Sequence, residues 1–336
     1  MSSFRILKSI GKLCLAGLVA GMMSVPAAAA EYTMKVGIIS QNDPLHAYIK
    51  LFKERLEKAS NNRIEVKLFP GAQLGGESAL AEGVQLGTVE MVAIPAVYLK
   101  GLDPRFQVAD AMGLFQDLNH AYDVLQNPEF RDAFLNVAND NGVRGVSLWV
   151  YDVTSFATQK PFNTLDDIKG TKLRVLASDM ERQLMTDLGS TGVPMPFVEV
   201  VPALQRGTID GVRTSPIIMT AFRVPSVAKY LTITNDAPIA IGGFVSQRFY
   251  DRLPQDLQKV LNDVGREVEL EMKSVVGGIR DTMLARWKEL GGEIHSLSED
   301  EQNKLMELNR EASRKHIGAD ESMKPLFETL ERLAAN

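Results

Sequence analysis

The chain has 336 residues, 45% of them hydrophobic and 24% charged, which excludes a wholly disordered, collagen-like or integral-membrane chain. Lys and Arg number 37 against 42 Asp and Glu, and aromatic residues make up only 7%. A net charge of −5 with no basic block, and few rings to stack on bases, argue against a nucleic-acid partner. Length alone suggests about two domains of roughly 150 residues each.

Arg5, Lys8 and Lys12 give a basic start, an apolar run follows from Leu13 to Val25, and Pro26 leads into Ala27, Ala28, Ala29 and Ala30. This is the layout of a secretory signal peptide over residues 1–30 with cleavage after Ala30, since the apolar run falls short of the ~20 residues that span a bilayer. Cys14, the one cysteine, would leave with it. The mature chain is then expected to act outside the cytoplasm without a disulfide, a thiol nucleophile or a thiolate metal site.

Beyond the leader, short β-like runs alternate with helical patterns. Tyr32 to Ile39 reads as a strand. Asp43 to Ala59 reads as a helix, with Asp43 and Pro44 as cap and first-turn pair and Leu45, Ile49, Phe52 and Leu56 on one face. A strand at Arg63–Phe69, a helix near Ser78–Leu86 and a strand at Val89–Ile94 complete a β-α-β-α-β unit, which implies a parallel sheet. Ligands of such sheets sit beyond the strands' carboxyl ends, here Ser40–Asp43, Gly75–Glu77 and Pro95–Val97.

Leu102 to Asn141 is mostly helical, and Val143–Val150 is a strand. A second block follows, with strands at Thr171–Val175, Val193–Met195 and Thr208–Val212 and helices at Asp179–Leu188 and Val198–Gln205. Pro254 to Leu290 carries an apolar stripe of Leu257, Leu261, Val264, Val268, Met272, Val275, Ile279, Met283 and Trp287. At 1.5 Å per residue this helix would run roughly 50 Å and pack across both domains, and a break at Gly277-Gly278 argues against a coiled coil. A last amphipathic helix holds Met323, Leu326, Phe327, Leu330 and Leu333. The expected fold class is α/β, with two α/β domains around a ligand cleft: residues 31–151 plus 240–279, and residues 152–239 plus 280–336. Hinges are expected near Val150–Thr154 and Ile239–Val245.

The four histidines have no metal-binding spacing, and Gly-x-Ser-x-Gly, Walker and dinucleotide-binding signatures are missing. The chain therefore reads as a non-enzyme without cofactor or metal. Lys169-Gly170-Thr171-Lys172-Leu173-Arg174-Val175 places Arg174 near the carboxyl end of a strand, where a planar guanidinium can clasp a carboxylate with two parallel hydrogen bonds. A solvated Arg, or a salt bridge to Asp179, is the alternative.

The Arg174 segment is followed by Pro194-Met195-Pro196-Phe197-Val198-Glu199-Val200 and then Ala203-Leu204-Gln205-Arg206-Gly207-Thr208-Ile209-Asp210-Gly211. With Phe69-Pro70-Gly71-Ala72-Gln73-Leu74-Gly75-Gly76-Glu77 upstream, the chain resembles the solute-binding proteins of tripartite ATP-independent periplasmic (TRAP) transporters, of the DctP-like C4-dicarboxylate-binding type. The resemblance covers nearly the whole mature chain. It implies a periplasmic-binding-protein-like fold that closes on a small organic acid and delivers it, as a monomer in the periplasm, to the small and large membrane permease subunits. It also implies that Arg174 binds the ligand carboxylate.

Other site positions follow less directly. Phe197 falls where the family packs a ring on the ligand, or is plain core. Glu77 matches a cleft-edge position, or is a first-turn helix carboxylate. Pro95 and Ala96 follow the third strand. Trp149 and Tyr151 would form an apolar wall or belong to the core, and His46 is a cleft candidate or an ordinary helix-turn histidine. The chain also departs from the family pattern: Asp210-Gly211-Val212-Arg213-Thr214-Ser215-Pro216 puts Thr214, with Ser215 beside it, where many members have a ligand-binding Asn. Thr154 stands where several carry a second Arg, and Arg213 either substitutes for that Arg or faces solvent. A monocarboxylate with an apolar or hydroxylated body is thus as well matched as a dicarboxylate. The competing functions are the binding protein of an ATP-driven importer, an extracytoplasmic carboxylate sensor and a periplasmic enzyme.

Overall fold

The computed structural model describes residues 30–139 and 141–335. Residues 1–29 of the expected signal peptide, Cys14 among them, lie outside the described residues. β1 (Tyr32–Gly37) pairs in parallel with β2 (Ile64–Phe69) and β3 (Met91–Pro95). Between them run α1 (Pro44–Ala59) and α2 (Glu77–Leu86). Asp43 caps α1 by accepting the His46 N–H at 3.0 Å, and α2 ends at Gly87 in the left-handed region, as the local sequence requires.

After α3 (Leu118–Leu125) and α4 (Pro128–Asn136) comes β4 (Val143–Val153). The chain then passes through Thr154 into β5 (Ser155–Thr158), β6 (Lys172–Val175), α5 (Asp179–Asp187) and β7 (Thr191–Pro194). Next are α6 (Val200–Gln205), β8 (Gly211–Thr214), α7 (Pro216–Ala221) and β9 (Tyr230–Ile233). β10 (Pro238–Ser246), α8 (Gln247–Tyr250), α9 (Gln255–Glu289), β11 (Glu293–Ser296), α10 (Glu299–Ser313) and α11 (Lys324–Ala334) complete the chain.

The strands form two sheets, ordered β2-β1-β3-β10-β4 and β11-β9-β5-β8-β6-β7. The first is not wholly parallel, as its β-α-β opening implies. β10 runs antiparallel to both β3 and β4, because it returns from the second sheet rather than through a crossover helix. The two crossings lie side by side, with the Thr154 N–H donating to the Ala237 carbonyl at 2.8 Å. The second crossing precedes β10 rather than falling within residues 239–245, since all of β10 is paired in the first sheet. β5, β9 and β11 were not expected from the sequence. β5 and β9 pair antiparallel, and β11 runs parallel to β9.

α9 spans both sheets, packing on α1 and β4 with its first half and on α7 and β11 further along. It is unbroken at Gly277-Gly278, where a side chain would meet nothing within 4 Å. Its close seat on β4 depends on Gly265, because a Cβ there would come within 2.3 Å of the Val146 carbonyl oxygen. That neighbour is backbone and cannot turn aside. Gly265→Ala is therefore expected to destabilise the protein by about 1–3 kcal/mol, read as a lower urea midpoint.

α10 packs on α5, in the second unit, whereas α11 packs on α3 and α4, in the first. Assigning all of residues 280–336 to the second unit therefore misplaces α11. Its apolar face is generic in sequence, and only packing shows which unit it covers.

Candidate functional site

The carboxyl ends of β1, β3, β6 and β8 converge where the two units meet, and they line a cavity of about 30 Å³, on a measure by which one water needs roughly 10–15 Å³. Its polar lining is Glu77, Tyr151, Arg174 and Thr214. Its aliphatic lining is Ile39, Leu45, Leu176, Ile218, Ile239 and Ile241, with Pro95 and Phe197 alongside.

Arg174 lies on β6 and is 1% exposed. Its Nε and Nη2 donate to the Met195 carbonyl at 3.0 and 2.9 Å, and Nη2 also donates to the Tyr98 hydroxyl at 3.1 Å. The buried Nη1 has no hydrogen-bond partner. The guanidinium carbon sits 5.1 Å from the centroid of the Phe197 ring. Asp179 is not its counter-ion. That carboxylate pairs with Lys100 at 2.9 Å and Arg182 at 2.6 Å, and among the described residues no carboxylate lies within ion-pair distance of Arg174. Buried cations are ordinarily paired, whereas this guanidinium is held by neutral acceptors and lines the cavity.

Glu77 begins α2 on the opposite wall. Both of its carboxylate oxygens accept the Phe197 N–H, at 3.2 and 3.1 Å, so the contact joins the two units. Burial pushes its pKa up, and the Arg174 charge pulls part of the way back. Tyr151 donates to Asp43 at 2.8 Å. Thr214 reaches the cavity from the end of β8.

Six of the ten expected site residues thus line one cavity: Glu77, Pro95, Tyr151, Arg174, Phe197 and Thr214. The other four do not. Trp149 stacks on Tyr48, with ring centroids 5.4 Å apart, in the core behind the cavity. Thr154 donates to Asp236 at 2.9 Å between the crossing strands. Ser215 caps α7 and donates to Asp152 at 2.5 Å. His46 accepts the Asn42 N–H at 3.0 Å in the first turn of α1. Nor does Arg213 serve as a second cation for the cavity. It is fully buried and bound to Glu181 at 2.8 Å and Asp236 at 2.5 Å, because side chains alternate faces along β8 and Thr214 takes the cavity face.

The sequence reading missed Tyr98 and the six aliphatic residues. Tyr98 lies just past the Pro95–Val97 strand end already pointed to, on the turn Ala96–Leu99. The aliphatic residues carry no signal separating a cleft wall from core.

Behind the wall, Asp110 accepts the Ala240 N–H at 2.8 Å and so holds β10 between the lining residues Ile239 and Ile241. Burial raises its pKa to about 8, with Glu181 adding to the shift. Between the ordinary carboxylate range and about pH 8 the folded state keeps a proton that the unfolded state has lost, so stability falls as pH rises through that window. Asp110→Asn is expected to abolish that fall and to be more stable than the parent at pH 8 by about 1 kcal/mol or more, measured by urea denaturation at pH 5 and pH 8.

Among the described residues no group of three or more His, Cys, Asp or Glu side chains could hold a metal ion, and no helix is long and apolar enough to cross a membrane.

The sequence profile of the bacterial extracellular solute-binding proteins, family 7 (DctP), matches residues 36–319. The chain is 27% identical over 295 residues to the C4-dicarboxylate-binding periplasmic protein DctP of Rhodobacter capsulatus, covering 87% of this chain and 88% of that one. It is 28% identical over 286 residues to the 2,3-diketo-L-gulonate-binding periplasmic protein YiaO of Escherichia coli K12, covering 84% and 85%. Its fold is similar to that of a TRAP periplasmic solute-binding protein from Desulfovibrio salexigens with bound orotic acid, at a TM-score of 0.86 and 24% identity over 90% of this chain and 99% of that one. The chain belongs to the family 7 (DctP) bacterial extracellular solute-binding proteins of TRAP transporters, and it is a binding protein for small organic acids rather than an enzyme.

Proposed function

We propose that this chain captures its organic acid in the cavity between the two units, that Arg174 clasps the carboxylate, and that the closed protein delivers it to the small and large subunits of a TRAP membrane permease. The observation that carries this reading is the buried Arg174 guanidinium, which lines the cavity with Nη1 unpartnered and, among the described residues, no carboxylate at ion-pair distance. A carboxylate entering there gains a charge-assisted bond among buried, largely apolar side chains.

Closure is favoured because the cavity takes residues from both units. Glu77 with Phe197, Tyr98 with Arg174 and Lys100 with Asp179 already join them. A ligand touching both walls binds the closed form better and shifts the population toward it. The hinge consists of the strand crossings at Thr154 and before β10. The two domains divide at these crossings, with α11 going with the first domain. Processing after Ala30 releases the mature protein into the periplasm, where it acts as a monomer.

The test is a thermal-shift screen of small carboxylates, followed by uptake of the best ligand in cells that carry the permease. The expected result is a melting point raised by one or more acids, and uptake that needs this protein and an ion gradient. Uptake that continues after the gradient is collapsed, and stops when ATP is depleted, would instead assign the protein to an ATP-driven importer.

A further inference from the structure

We propose that the acid selected by this cleft is a short aliphatic monocarboxylate with no second ionised group, and that Glu77 and the six aliphatic wall residues make the selection. This rests on the Arg174 clasp proposed above and adds the chemistry of the rest of the ligand.

The argument is a count of what the cavity can satisfy. Among the described lining residues Arg174 is the one cation and Glu77 the one anion. A ligand's first carboxylate takes Arg174. A second would face the Glu77 carboxylate with no cation to receive it, because Arg213 is held by Glu181 and Asp236 and Lys100 by Asp179. Like charges forced together in a buried site oppose binding.

Polyhydroxylated acids meet a different obstacle. Each hydroxyl taken from water needs a partner, and an unpaired buried one is costly. The side-chain hydroxyls in the wall are those of Thr214 and Tyr151, and Tyr151 already spends its proton on Asp43. One extra polar atom beside the carboxylate can be met, but a ring of them cannot. Ile39, Leu45, Leu176, Ile218, Ile239 and Ile241 supply the remaining surface, which rewards an apolar body. A cavity of about 30 Å³ keeps that body short.

Titration calorimetry on the purified protein tests this, with isovalerate and isobutyrate as probes against succinate, galacturonate and leucine. The expected result is that an aliphatic acid binds at least about tenfold more tightly than succinate, galacturonate or leucine. Glu77→Gln keeps an oxygen for the Phe197 N–H and removes the charge, so it should raise succinate affinity relative to isovalerate about tenfold. Ile241→Ser should weaken isovalerate about tenfold, with circular dichroism checking that each variant is folded. Tighter binding of succinate, galacturonate or leucine, or no binding of either aliphatic acid, overturns the ligand class. The clasp is judged separately. Arg174→Ala abolishing binding of whichever acid proves best upholds the clasp even if the class falls, whereas isovalerate binding that survives Arg174→Ala overturns the clasp and leaves the class standing.

Discussion

Arg174→Ala is expected to weaken binding of the captured acid by about 2–5 kcal/mol, roughly a 30- to 4,000-fold rise in Kd by calorimetry. The loss is large because the guanidinium is 1% exposed, so the ligand carboxylate would be buried against a wall with no replacement donor of its charge. Water cannot substitute cheaply in a cavity lined by six aliphatic side chains. Arg174→Lys is expected to recover little. The present side chain gives Nε and Nη2 to Met195 and Nη2 to Tyr98 while Nη1 stays available, and an ammonium has neither the fork nor the reach to do both. Unchanged affinity in Arg174→Ala would remove this residue from the ligand site.

The second large effect concerns stability. Arg213→Met should cost about 3–5 kcal/mol in urea denaturation at neutral pH, because it leaves Glu181 and Asp236 buried without their cation. Asp236 is the junction of this network. It also accepts from Thr154 at 2.9 Å, from Thr234 at 2.6 Å and from Asn309 at 3.0 Å, which ties the two crossing strands to α10. Burial alone would raise the Asp236 pKa, but Arg213 and the hydrogen bonds outweigh it and hold it below the usual range. A depressed folded pKa contributes stability above the unfolded value, and that contribution is lost as pH falls through the folded one. The gap between parent and Arg213→Met should therefore be widest near neutral pH and shrink below about pH 4. Adding Asp236→Asn to Arg213→Met should recover part of the loss. A gap that does not change with pH would show that lost packing, not lost charge pairing, carries the effect.

Much of the architecture was legible beforehand because it is encoded over short distances. The Asp43-Pro44 cap, the alternation of strands and helices, and the stripe along residues 254–290 are local patterns that tertiary packing had no reason to override. β5, β9 and β11 are as short as β6, β7 and β8 but escaped the sequence reading, and they become strands through the partners the second sheet provides. Family motifs drew attention to Glu77, Arg174 and Phe197, and those side chains meet although nearly a hundred residues separate the first two. Trp149 and His46, pointed to by their places near strand ends, and Thr154 and Ser215, pointed to where the chain departs from the family pattern, are taken up by stacking, capping and buried hydrogen bonds instead.

By itself the sequence determined the α/β class, the helix that crosses both units, the family, and the candidacy of Arg174, because all of these depend on residue type and spacing along the chain. Only the tertiary structure decided which of two buried arginines is left without a carboxylate at ion-pair distance among the described residues. Arg174 and Arg213 sit on the neighbouring parallel strands β6 and β8, and the difference lies in Glu181 and Asp236, which folding brings to one and not to the other. It also decided which aliphatic side chains line the cavity, since an isoleucine facing the cleft and one facing the core look the same until the two sheets are set against each other.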